Sequence, residues 1–142
     1  MTTRTATARY EGFGKEGKGQ ISSASGVLDA TPYSFNTRFG DEKGTNPEEL
    51  VAAAHAGCFT MALSFALARA GFNEGSLETT AAVKLDSDGE GGFSITRSDL
   101  TLKANVPGIS EEQFEALAKG AEANCPVSKL LKAEITLTFE LA

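Results

Sequence analysis

From Val51 to Ala68 no residue carries a formal charge, and this run constrains the fold more than any other feature of the chain. It follows Asn46-Pro47-Glu48-Glu49-Leu50, which reads as a helix start. Asn46 is the N-cap, Pro47 takes the first helical position, and the acids suit the positive end of the helix. Alanine dominates the run, no proline interrupts it, and Gly71 is a natural stop, so a helix to about Ala70 is expected. A helix apolar on nearly every side belongs in the middle of a core. Crossing a membrane takes roughly 20 strongly apolar residues. This run is alanine-rich and holds His55, Thr60 and Ser64, so that reading is set aside. Cys58, one of only two cysteines, lies within it.

At 142 residues the chain is expected to form a single domain, residues 1–142, large enough for a real core. Its net charge of −6 argues against a nucleic-acid or anionic-membrane partner, since both reward clustered Lys and Arg. The first eight residues lack the apolar stretch of a signal peptide, which makes the cytoplasm the expected location. There a disulfide is more often transient or catalytic than structural.

Residues 4–40 read as strands and turns. Gly12, Gly14, Gly17 and Gly19 punctuate a hairpin, and Tyr33 to Phe39 alternates aromatic and polar residues as a strand does. Beyond Gly71, Thr79–Leu85 and Phe93–Val106 read as strands. In the second, the apolar phase moves from Phe93 and Ile95 to Leu100, Leu102, Ala104 and Val106, which predicts a bulge near Arg97 to Asp99. Ser110 caps a further helix to about Asn124, with Phe114, Leu117 and Ala118 on one face. Cys125 precedes Pro126 and is pushed from helical backbone. Pro126 then starts a short helix ending near Lys132, and Ile135, Leu137, Phe139 and Leu141 alternate as a last strand. Strands, helix, strands, helix, strand is an α+β order.

Three motifs invite chemistry and are set aside. Gly12 to Lys18 fits seven positions of a phosphate-binding loop, but Gly19 stands where Ser or Thr should hold a metal, and a strand follows instead of a helix. Asp86-Ser87-Asp88 resembles the front of a calcium loop without its closing glutamate. His55 and Cys58 are helix neighbours that, with Cys125, could supply three zinc ligands. His55 is the only histidine, however, and the plainer reading is a core histidine with both ring nitrogens satisfied.

Cys58 and Cys125 can be buried hydrophobes and nothing more. Against this, Cys58 is central in a charge-free helix, Cys125 sits at a helix junction, and Arg38 ends an aromatic strand. Thiol peroxidase chemistry needs such parts. The thiolate is the nucleophile, burial raises its pKa, a fixed guanidinium lowers it again, and a carboxylate holds the guanidinium in place.

The segments Ser25-Gly26-Val27-Leu28, Phe35-Asn36-Thr37-Arg38-Phe39, Gly44-Thr45-Asn46-Pro47-Glu48-Glu49-Leu50, Ala54-His55-Ala56-Gly57-Cys58-Phe59 and Cys125-Pro126-Val127-Ser128-Lys129 carry a specific likeness. Through them the chain resembles the OsmC branch of the OsmC/Ohr family, the osmotically inducible and organic-hydroperoxide-resistance proteins. His55, where the Ohr branch usually has tyrosine, favours the OsmC branch. The resemblance implies antiparallel sheets around a long central helix, an intertwined homodimer, and a thiol peroxidase that needs no cofactor and no metal. By motif, Cys58 matches the peroxidatic cysteine and Cys125 the resolving one, while Arg38 and Glu48 match the arginine that contacts the thiol and its carboxylate partner. Cys58 would attack an organic hydroperoxide, release the alcohol and become a sulfenic acid. Cys125 would condense with it to a Cys58–Cys125 disulfide, which an external dithiol reduces. Lipoylated proteins are the reductant in the wider family. Phe59 and Met61 would give the pocket its preference for alkyl hydroperoxides.

Two further readings remain: a redox-switch stress protein without turnover, and the zinc site on His55, Cys58 and Cys125. Ten residues of straight helix put Glu48 about 15 Å from Cys58. Either the helix breaks near Gly57, or Glu48 serves the site of a partner subunit.

Overall fold

The computed structural model describes residues 2–142. The chain divides into two compact units, one through Leu50 and the other from Val51 to Ala142. In the first, β1 (Ala6–Glu11), β2 (Lys18–Ser23) and β3 (Thr31–Tyr33) form an antiparallel sheet in that order. The glycine-rich segment is the β1–β2 hairpin, with a short 3-10 turn at Gly14–Glu16 and the Tyr10 hydroxyl donating to the Gly14 carbonyl at 2.7 Å. Tyr10 and Tyr33 meet edge-on, ring centroids 5.9 Å apart, across Gly19. A Cβ at Gly19 would lie 2.4 Å from the Tyr33 ring, so only glycine fits beneath that pair.

The segment expected to end as a strand is instead helix α1, Phe35–Phe39. Ser34 caps it reciprocally with Thr37. The Thr37 N–H donates to Ser34 Oγ at 3.3 Å, and the Ser34 N–H donates to Thr37 Oγ1 at 2.8 Å. Two phenylalanines four residues apart satisfy both a period of two and one helical turn, and the cap decides for the helix. Their rings lie 5.0 Å apart.

Helix α2 runs unbroken from Pro47 to Arg69, through Gly57. Asn46 Oδ1 accepts the Glu49 N–H at 2.8 Å, as an N-cap should. Gly71 takes φ +96°, and the Phe72 N–H returns to the Leu67 carbonyl at 2.9 Å, closing the C-terminus. The expectation of burial on nearly every side is corrected. Only His55, Phe59, Leu63 and Leu67, one stripe at four-residue spacing, are buried. Met61 and Phe65 on another face are 63% and 57% exposed. Alanine-rich faces are narrow, so this chain supplies cover for one stripe only. By length and composition alone α2 could cross a membrane.

In the second unit β4 (Ser76–Ser87), β5 (Phe93–Asn105) and β6 (Glu134–Leu141) form a sheet in that order. The β4–β5 turn is closed by Asp88, whose Oδ1 accepts the N–H groups of Glu90 and Gly92. Its carboxylate serves a turn where a calcium loop was considered. The bulge lies one residue before the expected span. Lys84 pairs with Arg97 and Leu85 with Ile95, leaving Thr96 as the extra residue. Past it, Ser98, Leu100, Leu102 and Ala104 all face the core. The pairing departs from all-antiparallel at β6, which runs parallel to β5. The chain reaches it through a helical crossover, as parallel pairing requires. That crossover is α3 (Glu111–Asn124), capped by Ser110, then extended Cys125, then α4 (Pro126–Leu130), which stops short of Lys132. Phe59, Leu63 and Leu67 of α2 share the core with Leu100 and Leu102 of β5 and with Phe114, Ala118 and Ala121 of α3. Phe114 packs edge-on against Phe139 of β6 at 5.2 Å.

Candidate active site

Both cysteines are in the second unit. Cys125 is fully buried at the α3–α4 junction, and Cys58, half-buried on α2, packs against the same core. Both thiols are free and lie within hydrogen-bond reach of each other. The junction geometry follows from Pro126. It forces Cys125 to extended backbone, φ −60° and ψ 124°, so that the thiol leaves the helical path and turns inward.

Burial pushes both thiols up. At Cys58 the neighbouring Cys125 thiol adds to the rise and the Val127 amide opposes it, leaving the group above the ordinary cysteine range. At Cys125 the bond from Cys58, the amide and hydroxyl of Ser128 and the amide of Val127 outweigh burial, leaving it below that range. None of these contacts meets the strict geometry of a side-chain cap, yet all favour the anion. The opposed directions have one cause. The two thiols titrate as a pair, and with the groups of this unit around them Cys125 gives up its proton more readily than Cys58.

Beside the thiols His55 is fully buried with both ring nitrogens engaged. Nδ1 lies 2.6 Å from Ser98 Oγ and Nε2 lies 2.8 Å from Ser128 Oγ. Burial lowers its pKa and keeps it neutral near pH 7. Occupied on both sides, the ring has no free lone pair for zinc, and among the described residues no three His, Cys, Asp or Glu side chains converge on a metal position. Sequence reasoning missed Ser98 and Ser128 as members of this group. A signal existed for each. Ser98 shares the even phase of Leu100 and Leu102, a polar residue at a core position, and Ser128 follows Cys125 by one helical turn.

Arg38 and Glu48 are in the first unit and are paired there. Arg38 Nε donates to Glu48 Oε1 at 2.7 Å, with the side chains 37% and 12% exposed. Arg38 sits on α1 where a strand end was expected, and the Asn46 amide fixes that helix by donating to the Thr37 carbonyl at 3.1 Å. Glu48 Oε2 is buried without a hydrogen-bond partner among the described residues. The guanidinium lies 5.4 Å from the Phe39 ring centre. It borders a mostly apolar cavity of about 280 Å³ lined by Tyr10, Tyr33, Phe35 and Phe39. Of the two residues expected to shape a pocket, Phe59 is fully buried in the core. Met61 borders an open groove on α2 with Gly57, Thr60 and Phe65.

Residues 40–140 match the family model described as OsmC-like protein. The chain belongs to the OsmC/Ohr family. It is 54% identical over 134 residues to Peroxiredoxin OsmC of Escherichia coli, covering 94% of this chain and 93% of that one. It is 37% identical to the organic hydroperoxide resistance protein OhrA of Bacillus subtilis, covering 97% and 95%. The crystal structure of OhrB from Bacillus subtilis superposes with a TM-score of 0.70 at 31% identity, covering 99% of this chain and 98% of that one. The α+β OsmC-like fold expected of the sequence is the fold observed.

Proposed function

We propose that this OsmC/Ohr member is a cysteine-based peroxidase that reduces organic hydroperoxides to alcohols. The observation that carries the reading is the meeting of Cys58 and Cys125, two reduced thiols within hydrogen-bond reach. The names of its relatives, a peroxiredoxin and a hydroperoxide resistance protein, support the same chemistry. Cys58, the less buried thiol, meets the peroxide. Its sulfur attacks one peroxide oxygen, the O–O bond breaks, and the alkoxide leaves with a proton as alcohol. Cys125 then displaces hydroxide from the Cys58 sulfenic acid, giving the disulfide and water, and an external dithiol, with a lipoylated protein as our candidate, reduces it.

Cys58 carries a raised pKa in the surroundings its own unit supplies, so the chemistry calls for a cation. Arg38, oriented by Glu48, is that cation. Cys58 follows Glu48 by ten positions of unbroken α2, about 15 Å of rise. We therefore assign Arg38 and Glu48 to the Cys58 of a partner subunit in a homodimer. The exposed apolar face of α2 around Met61 and Phe65 supports a face covered by a second chain. The single domain acts in the cytoplasm as part of the oxidative and osmotic stress response.

The test is consumption of an organic hydroperoxide and of hydrogen peroxide with excess dithiol, for the wild type and Cys58→Ser. Many turnovers by the wild type, faster with the organic peroxide, and none by the variant are expected. A single turnover per subunit would make the disulfide a switch and end the enzyme reading.

A further inference from the structure

We propose that His55, held by Ser98 and acting through Ser128, is a positioning residue that activates Cys125 as the resolving nucleophile. The inference rests on the peroxidase reading and deepens it. Four buried side chains from three elements are grouped here: Ser98 on β5, His55 on α2, and Ser128 and Cys125 at the first turn of α4. The first two links measure 2.6 and 2.8 Å. Ser128 lies one helical turn after Cys125, in the turn that the Lys129 N–H closes on the Cys125 carbonyl at 3.0 Å, and its hydroxyl is among the groups that favour the Cys125 anion.

The line has two consistent directions. With Cys125 as thiolate, Ser98 donates to Nδ1, Nε2–H donates to Ser128 Oγ, and the Ser128 hydroxyl donates to sulfur. With Cys125 protonated, the thiol donates to Ser128, Ser128 donates to Nε2, and Nδ1–H donates to Ser98. Ser128 donates and accepts once in each state and both ring nitrogens stay paired, and aligned donors reinforce one another. The imidazole changes tautomer and never its charge, which suits a ring that burial keeps neutral. In the resolving step the Cys125–Cys58 S–S bond forms and the S–O bond of the sulfenic acid breaks. Cys125 sulfur is oxidised, Cys58 sulfur is reduced, and the proton from Cys125 leaves on the hydroxide as water. The titratable groups facing Cys125 are Cys58 directly and His55 through Ser128, both from α2. From α3 its neighbour is the Ala121 carbonyl, which accepts the Cys125 N–H, and β5 contributes the hydroxyl of Ser98 behind His55.

Rapid-quench mass spectrometry after one equivalent of cumene hydroperoxide follows the Cys58 sulfenic acid and the disulfide separately. Without the Ser128 hydroxyl the Cys125 pKa rises, and each unit of rise removes tenfold of the thiolate while returning about threefold in nucleophilicity. Ser128→Ala should therefore form the disulfide roughly threefold more slowly per unit at pH 7. The deficit should vanish once the pH exceeds the raised pKa, and Ser128→Thr should restore the wild-type profile. A deficit that persists at alkaline pH marks a displaced thiol and overturns the proposal, as does an unchanged profile. The second measurement needs no peroxide. His55 is the only histidine, so ¹⁵N-histidine labelling of the reduced wild type yields one pair of ring signals. They should pass from the Nδ1–H to the Nε2–H pattern as Cys125 ionises, and signals indifferent to that ionisation overturn the relay. Failure to see any Cys58 sulfenic acid or disulfide in the wild type would instead bring down the peroxidase reading, while the nitrogen signals still report on the line itself.

Discussion

Cys58 and Cys125 are chemically identical residues made unequal by their surroundings. Cys125 collects hydrogen bonds that favour the anion, while Cys58 gains little beyond burial and its neighbour. That contrast fits a resolving thiol ready on its own and a peroxidatic thiol that waits for a cation. Cys58→Ser should abolish peroxide reduction. Cys125→Ser should consume one equivalent and then accumulate sulfenic or over-oxidised Cys58, read by mass spectrometry. Sulfenic acid trapped first on Cys125 would reverse the roles. Arg38 is the proposed cation. Arg38→Ala should raise the Cys58 pKa, followed by thiolate absorbance, and slow turnover on the order of a hundredfold, as losing a preorganised electrostatic contact does. Arg38→Lys should recover only part, since an ammonium lacks the planar fork that meets Glu48. An unchanged thiol pKa in Arg38→Ala would remove Arg38 from the mechanism.

At the scale of elements, His55 joins α2 to β5 and α4 through two serine hydroxyls. Its pKa is lowered in the folded protein, so below about 6.5 the unfolded chain binds the extra proton first. Stability should therefore fall as pH drops below that value and level off above it, with a slope of at most about 1.4 kcal/mol per pH unit from this one group. Urea midpoints between pH 5 and 8 check this, and His55→Gln should lose that part of the slope. The β1–β2 hairpin offers a second prediction. A methyl at Gly19 collides with the rings of Tyr33 and Tyr10, and crowding of this kind costs about 1–3 kcal/mol. Gly19→Ala should lower the denaturant midpoint accordingly, and an unchanged midpoint would show that the tyrosine pair moves aside freely.

On the proposed mechanism, the two constellations must be brought to one reaction at the scale of the whole molecule. Each belongs to its own compact unit, Arg38 with Glu48 in the first and Cys58 with Cys125 in the second. Under the homodimer proposal one chain lends its cation to the thiol of the other. Mixing Cys58→Ser subunits with Glu48→Ala subunits tests it. In the heterodimer the intact Cys58 of the Glu48→Ala chain faces a native Glu48 from its partner, so one active site should return. Activity that stays absent in verified heterodimers would assign Glu48 to its own chain.

Much of this protein could be read from local pattern. Asn46, Pro47 and Gly71 mark the ends of α2, Ser110 opens α3, and the phase change along β5 announces a bulge, found at Thr96. Each such signal lies within about four residues of its effect, the reach of one helical turn or one strand pair. The resemblance through the segments around Arg38, Glu48, Cys58 and Cys125 named the family outright. What the local pattern left open was decided at longer range. Phe35 to Phe39 fits either period until Ser34 and Thr37 lock the helix, and the crossover of α3 and α4 makes β6 parallel to β5. Ser98 and Ser128 reach His55 from 43 and 73 residues away. Nothing local encodes such a meeting. It exists because the core packs β5 and α4 against one stripe of α2, and a buried imidazole there must find partners for both nitrogens.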